Sequence, residues 1–537
     1  MQVIQVMSLS HANHAVSPPE VTIARDYNAA HDLLSRHEAR ADKPAFIDAV
    51  SGEHLTYGAL SEQAHRFANA LRAHGLAPES RLLLAMLDTP DWPVVFLGCI
   101  LAGVVPVAAN TLLTRADFAF MLRDSRAQAV VVSSALLPVF DGLLDTTDPA
   151  GVLQTVMVSG APVGAPTSHK TNASLRHVLQ ASSAIKKVAD TCADDICFWL
   201  YSSGSTGAPK GTVHLHSHLV QTAELYGRGV LGIQECDVVY SAAKLFFAYG
   251  LGNALTFPLC VGATAVLLPT RPTTAQVFGV LTRHQPTVFC GVPTLYAALL
   301  GAEAKPPKSA LNLRICVSAG EALPAEIGKQ WTARYGCEVL DGLGSTEMLH
   351  IFLSNRPGHV RYGTTGQPVP GYALRIVGDD GKPCAVGELG ELHISGPSAA
   401  IMYWNNRAKT KATFAGEWTR SGDKYTLDAD GYYTYGGRSD DMLKVGGIYV
   451  SPFEVEACLM THASVFEVAV VGQKDGHALV KPKAYVVFKP GLTASTEELK
   501  AHVKQQLAAY KCPHWFEPVR ELPKTATGKI QRFKLRQ

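Results

Sequence analysis

The larger part of the chain alternates between short apolar, β-branched runs and stretches with helical spacing. Runs at 81–87 (RLLLAML), 129–133 (AVVVS), 264–268 (TAVLL), 287–290 (TVFC) and 314–318 (RICVS) carry apolar side chains with little polar alternation. A strand that is apolar on both sides must be covered on both faces, so these runs predict buried, largely parallel strands in an α/β arrangement. Residues 92–109, WPVVFLGCILAGVVPVAA, are eighteen uncharged positions, the lower limit for a membrane span. Gly98, Gly103 and Pro106 interrupt that run, and it reads instead as a buried helix followed by a strand. After about residue 360 the texture changes to ALRIVGDDGKPCAVGELGELHISG, short alternating strands between Gly-rich turns, which predicts a small antiparallel sheet or barrel. The last stretch reads as a separate unit. Two strands, EVAVVG and KAYVVFKP, precede a helix that Ser495 and Glu498 cap in capping-box spacing, with Leu499, Val503, Leu507 and Tyr510 on its apolar face.

Composition narrows the function classes. With 537 residues, 47% apolar and 18% charged, the chain can bury large cores in more than one domain and is not disordered. Lys and Arg number 48 against 46 Asp and Glu, so no basic footprint for nucleic acid is present, and any polyanion bound must be small and held locally. Eleven cysteines are scattered without a CxxC, the nearest pair being Cys192 and Cys197, which leaves a metal cluster unsupported and, with no signal peptide, suggests reduced thiols. The opening MQVIQVMSLS lacks the basic and apolar regions of a signal peptide, Met7 is an alternative start, and a cytoplasmic, membrane-free protein is expected.

The candidate chemistry begins at YSSGSTGAPKG, residues 201–211. Glycines let backbone N–H groups turn inward, hydroxyls add donors and Lys210 adds a point charge, a combination that suits a polyphosphate. It is not a Walker A loop, because Lys210 precedes Gly211 rather than Ser or Thr. His214, His216 and His218 follow at a spacing that would put them on one face of a strand, a pattern that suits metal ligands, but packing and hydrogen bonding are the expected roles. Four further polar motifs lie downstream: DGLGSTE (341–347), TRSGD (419–423), GGRSDDMLKVGG (436–447) and PKTATGKIQR (523–532).

In this order and at these distances the five motifs closely resemble the adenylate-forming superfamily of acyl-CoA synthetases, adenylation domains and luciferases, over nearly the whole chain. The resemblance implies a large N-terminal domain, 1–437, of two parallel-sheet α/β subdomains plus a small β-barrel-like subdomain. A hinge at 438–441 and a small mobile α+β domain, 442–537, complete it. It implies ATP, Mg2+ and coenzyme A. Ser202, Ser203, Gly204, Ser205, Thr206, Gly207 and Lys210 would bind the β- and γ-phosphates of ATP, Thr346 the α-phosphate, and Glu347 the Mg2+. Asp423 would accept the ribose hydroxyls with help from Arg438. Where relatives often carry an aromatic residue to stack on adenine this chain has Leu343, so stacking is weaker or supplied elsewhere, around Asp341, Gly342, Gly320 and Glu321. Lys529 matches the lysine that bridges the substrate carboxylate and the α-phosphate, and Asp440 matches the pivot. Lys444, Gly446 and Gly447 belong to a loop like the one lining the thiol tunnel, where glycine permits close approach of a pantetheine arm.

The segments KLFFAYGLGN and GSTEMLHIF resemble benzoate-CoA ligases, with Phe247, Ala248, Tyr249, Gly344, His350 and Ile351 at acid-lining positions. Benzoate or a similar small aryl carboxylate is the expected acid. Ligases for 4-hydroxybenzoate, for 2-aminobenzoate or for medium-chain acids stay open as alternatives. The chain ends eight residues past Lys529 with no carrier domain, so free CoA is the expected acceptor, and a monomer or homodimer the expected state. A non-catalytic nucleotide sensor would need the site broken at Lys529, Glu347 or Asp423, and all three are present.

Overall fold

The computed structural model describes residues 7–140, 142–143, 153, 155–160, 172–202, 209–438, 441–445, 448–475, 479–524 and 530–536. Two large sheets dominate it, each with parallel strands at its centre, as expected for an α/β chain. The first runs Met402–Tyr403, Lys210–Leu215, Ile196–Ser202, Val105–Ala108, Arg81–Ala85, Ala129–Ser133, Thr155–Ser159, Asn172–Ser174, and only its first two strands are antiparallel to their neighbours. The second runs Gln367–Pro368, Ile351–Ser354, Val339–Gly344, Ile315–Ala319, Val288–Gly291, Val238–Ser241, Thr264–Leu267, Pro44–Asp48, His54–Thr56, with antiparallel strands at both edges. Leu82, Leu84 and Val131 of one sheet and Phe46, Val239 and Val317 of the other lie in one continuous buried cluster, so the helices between the sheets close a shared core.

The run at 92–109 forms the helix Asp91–Ala102 and the strand Val105–Ala108, buried almost throughout. Gly103 ends the helix in the left-handed conformation (φ 75°), which glycine adopts without steric cost. No helix among the described residues is long and apolar enough to cross a membrane.

The Gly-rich region folds as an antiparallel sheet of Ala373–Val377, Gly390–Ser395, Trp418–Leu427, Phe414–Ala415 and Tyr433–Arg438. The C-terminal stretch builds its own sheet from Val465–Lys474, Val480–Phe488 and Trp515–Pro518. Helices Pro452–Met460 and Thr496–Gln506 cover it, their Val455, Leu459, Leu499 and Val503 joining its core. Ser495 and Glu498 form the expected capping box, and Leu507 is the C-cap. Tyr510, expected on the same apolar face, falls instead in the 3₁₀ turn Ala509–Lys511 and is exposed, because the helix stops before reaching it.

Candidate active site

Parallel strands present their carboxyl ends on one side of a sheet, and loops leaving those ends are where α/β proteins bind ligands. The expected site segments leave such ends. The phosphate-loop candidate follows Ile196–Ser202, Gly320 and Glu321 follow Ile315–Ala319, and Thr346 and Glu347 follow Val339–Gly344. The parallel register Ala319↔Gly342 brings the start of the Gly320–Glu321 segment to the Gly342–Leu343 end of the neighbouring strand.

The anion-binding candidates meet around a residue the motifs do not contain. Tyr403 donates its hydroxyl to Oε1 of Glu347 at 2.6 Å, and the Lys210 ammonium lies 4.6 Å from the centre of its ring. Burial lowers the Lys210 pKa, and Glu347 pulls it back up. The turn carrying Thr346 and Glu347 is pinned by its backbone: Ala400 N–H donates to the Glu347 carbonyl (2.7 Å), and His214 Nε2 donates to that of Thr346 (2.8 Å). No helix begins at Ser345–Glu347; the segment is a bend and turn.

The three histidines do not share a strand face. His214 ends its course on Lys210–Leu215, whereas His216 and His218 lie on the helix His216–Thr222, and all three are buried. Burial pulls His214 and His216 down to about 4, so each is neutral near neutral pH. His216 accepts a hydrogen bond from the Ala29 N–H, and His214 contacts His218 at 3.1 Å. No metal-binding cluster of His, Cys, Asp or Glu occurs among the described residues.

Asp341 is wholly buried and accepts the Leu323 N–H at 3.2 Å. Burial pushes its carboxyl up to about 8 despite that bond and one from the Gly342 N–H. Leu343 is half-buried against the shared core. Asp423 and Arg438 face each other across antiparallel strands, Arg438 Nη1 lying 3.1 Å from Asp423 Oδ1 and donating to the Ser421 carbonyl at 3.1 Å. This pair is partly buried, and its strands fix it from both sides. The Tyr249 hydroxyl meets the carbonyl of Val317, the residue before Ser318, which pairs with Asp341, so the acid and adenine candidates are neighbours.

The acid segment is built around Tyr249 and His350. Phe247 precedes the short helix Ala248–Leu251, and the Tyr249 hydroxyl contacts the Gly291 and Val317 carbonyls at 3.2 and 3.0 Å. His350 Nε2 donates to the Tyr249 carbonyl at 3.2 Å, which leaves Nδ1 as the unprotonated acceptor; that atom is buried and has no hydrogen-bond partner among the described residues. Burial pulls His350 down to about 3, so the imidazole is neutral. The rings of Tyr226, Tyr249 and Phe257 surround it at 5.4, 5.7 and 4.5 Å. Ile351 is buried and abuts Gly342, and a Cβ on Gly344 would lie 2.8 Å from the His350 backbone, so only glycine fits there.

Ser202 ends its strand opposite Lys210, with a buried hydroxyl that has no partner among the described residues. Lys444 lies on the strand Leu443–Val445. Ser203, Gly204, Ser205, Thr206, Gly207, Asp440, Gly446, Gly447 and Lys529 lie outside the described residues. Besides Tyr403, sequence reasoning misses Asp88, whose carboxylate accepts the Leu245 N–H at 3.3 Å and so holds the start of the acid segment. Burial raises its pKa to about 6. An isolated aspartate before a Thr-Pro turn carries no signal of that role.

Known families and structures resemble the chain over nearly its whole length. Residues 34–404 match the AMP-binding enzyme family and residues 454–529 its C-terminal domain. The chain is 56% identical to the benzoate-CoA ligase of Thauera aromatica, over 98% of this chain and 99% of that protein. It is 49% identical to a 4-hydroxybenzoate-CoA/benzoate-CoA ligase of Rhodopseudomonas palustris, over 96% and 94%. The crystal structure of a benzoate CoA ligase from Burkholderia xenovorans LB400 matches with a TM-score of 0.88 at 54% identity, covering 95% of this chain and 100% of that one. An anthranilate CoA ligase in complex with anthranoyl-AMP matches with a TM-score of 0.89 at 41% identity, covering 96% and 97%. This chain therefore belongs to the AMP-binding enzyme family, the adenylate-forming enzymes that its motifs resemble.

Proposed function

We propose that the protein is an ATP-dependent benzoate-CoA ligase. A carboxylate is a poor acyl donor because its leaving group would be oxide, and esterification with AMP replaces that group by a stabilised phosphate. In the first half-reaction a benzoate oxygen attacks the α-phosphorus of ATP, the bond to the β,γ-phosphates breaks, and benzoyl-AMP and pyrophosphate form. In the second the CoA sulfur, having lost its proton, attacks the acyl carbon and AMP departs, leaving benzoyl-CoA.

The ligase reading draws on the named activities of the relatives and on the shared site segments. The choice of acid is carried by one observation, the anchoring of Tyr249 to two backbone carbonyls. So held, its ring would stand as an end wall that a flat ring reaches and a long chain does not pass. Phe247, Ala248, Gly344, His350 and Ile351 would line the rest. A hydroxy- or aminobenzoate is the second reading, favoured by the unpartnered acceptor at His350 Nδ1.

Ser202–Gly207 and Lys210 would hold the β- and γ-phosphates, Thr346 the α-phosphate, and Lys529 the attacking carboxylate. Asp423 and Arg438 would take the ribose. Asp341, protonated near neutral pH, with Gly342, Leu343, Gly320 and Glu321, would form the adenine wall. Glu347 offers the hard oxygen donors that suit Mg2+, which when bound offsets charge on the phosphate oxygens. Residues 438–441 would form the hinge, Asp440 the pivot, and 442–537 the moving unit that brings Lys444, Gly446 and Gly447 to free CoA. A cytoplasmic, reducing setting would suit eleven scattered cysteines without a CxxC, and a monomer or homodimer is the expected state.

The test is pyrophosphate release from ATP with benzoate alone, followed by AMP and benzoyl-CoA release on adding CoA. Release of pyrophosphate without acid, or none with benzoate, would refute the reading.

A further inference from the structure

We propose that Tyr403 is a positioning residue for adenylate formation: its hydroxyl fixes the Glu347 carboxylate and its ring fixes the Lys210 ammonium. This rests on the reading of Glu347 as the metal ligand and Lys210 as a phosphate contact.

Three elements converge on this phenol. Tyr403 lies on the edge strand Met402–Tyr403, paired antiparallel with Lys210–Leu215 in the register Thr212↔Tyr403. The backbone on either side is tied to the same strand, Ile401 N–H donating to the Val213 carbonyl (3.1 Å) and Trp404 N–H to that of Gly211 (2.7 Å). One residue further back, the Ala400 N–H holds the Glu347 carbonyl at 2.7 Å. The edge strand thus joins the strand leaving the phosphate-loop candidate to the turn bearing Glu347, and Tyr403 makes the same connection with its side chain.

The chemistry of a phenol suits both tasks. The last torsion of a glutamate is broad, so an unsupported carboxylate samples many orientations. A 2.6 Å hydrogen bond to Oε1 removes that freedom and leaves Oε2 for a cation. Because the donor is neutral, it does not cancel the negative charge a cation needs, as lysine or arginine would. The ring face attracts the Lys210 ammonium without occupying all of its donors, which remain for an anion. Packing alone does not require the oxygen. Phe414, 5.3 Å away, would meet a phenylalanine equally well.

The experiment compares wild type with Tyr403→Phe, Tyr403→Leu and Glu347→Gln. Mn2+ affinity of each enzyme saturated with α,β-methylene-ATP is read by electron paramagnetic resonance, and affinity for the metal-free analogue by calorimetry. Tyr403→Phe is expected to weaken Mn2+ binding roughly tenfold, the scale of one hydrogen bond to a charged group, with metal-free nucleotide affinity nearly unchanged. Tyr403→Leu should add a loss of metal-free affinity of roughly threefold or more, as the ammonium loses its platform. Pyrophosphate release should fall in both variants, while thioester formation from ready-made benzoyl-AMP and CoA stays at the wild-type rate. If Glu347→Gln weakens Mn2+ but Tyr403→Phe does not, the positioning role is overturned while the metal reading stands. If Glu347→Gln leaves Mn2+ affinity intact, the metal reading falls and takes this proposal with it. Equal loss of both half-reactions in Tyr403→Phe would mark a merely structural residue.

Discussion

Asp341 shows how burial alone sets the charge of a side chain. Its pKa of about 8 lies far above that of a free aspartate, so the folded protein prefers the protonated form. The sign follows: stability falls as pH rises above the unfolded value of about 4, and the loss is complete only above the folded value. Asp341→Asn, which keeps the shape without the titration, should flatten the decline of Tm between about pH 6 and about pH 8.5. Parallel slopes for the two proteins, measured by scanning fluorimetry, would show that Asp341 does not titrate in this window. The motif residues were legible at this scale because each carries an unusual donor or charge inside a Gly-rich context. Tyr403 was not, since it sits 56 residues from Glu347 in a stretch with no polar pattern, and only the fold brings them together.

At the scale of elements, periodicity located the parallel strands well, because continuous apolar runs are what burial on both faces demands. Periodicity was blind to local changes of winding. Ala223–Arg228 and Gly252–Thr256 are π-helical turns, a rare winding often found at functional sites, and both touch the acid segment. The first carries Tyr226 against the His350 ring, and the second brings Gly252 so close that a Cβ would lie 2.3 Å from His350 Cδ2. Gly252→Ala must therefore displace a buried imidazole that holds the Tyr249 carbonyl. It should lower kcat/KM for benzoate by at least roughly tenfold, with a smaller effect on ATP affinity. An unchanged kcat/KM would mean that His350 does not shape the acid site. The alternation of His214, His216 and His218 does not make a strand face, since the strand turns into a helix at His216, but the expected packing and hydrogen bonding are what these side chains do.

For the whole molecule, the separateness of the C-terminal sheet was legible from its own strand, cap and helix signals, and the order of motifs along the chain identified the family. How the unit carrying Lys529 serves two reactions was implied only by resemblance. On the proposed role its charge would be needed while the carboxylate attacks phosphorus and not afterwards, so Lys529→Ala should slow pyrophosphate release by roughly 100-fold or more and spare thioester formation from benzoyl-AMP. Equal loss in both steps would contradict a role confined to the first. The central claim, that this site activates a small aryl acid, is tested most directly by kcat/KM for CoA-thioester formation from benzoate, 4-hydroxybenzoate, 2-aminobenzoate, cyclohexanecarboxylate and hexanoate in competition. Benzoate should lead hexanoate by at least roughly tenfold, because an apolar pocket built for a ring discriminates by about 1 to 3 kcal/mol per mismatch. Hexanoate turned over as well as or better than benzoate would contradict it.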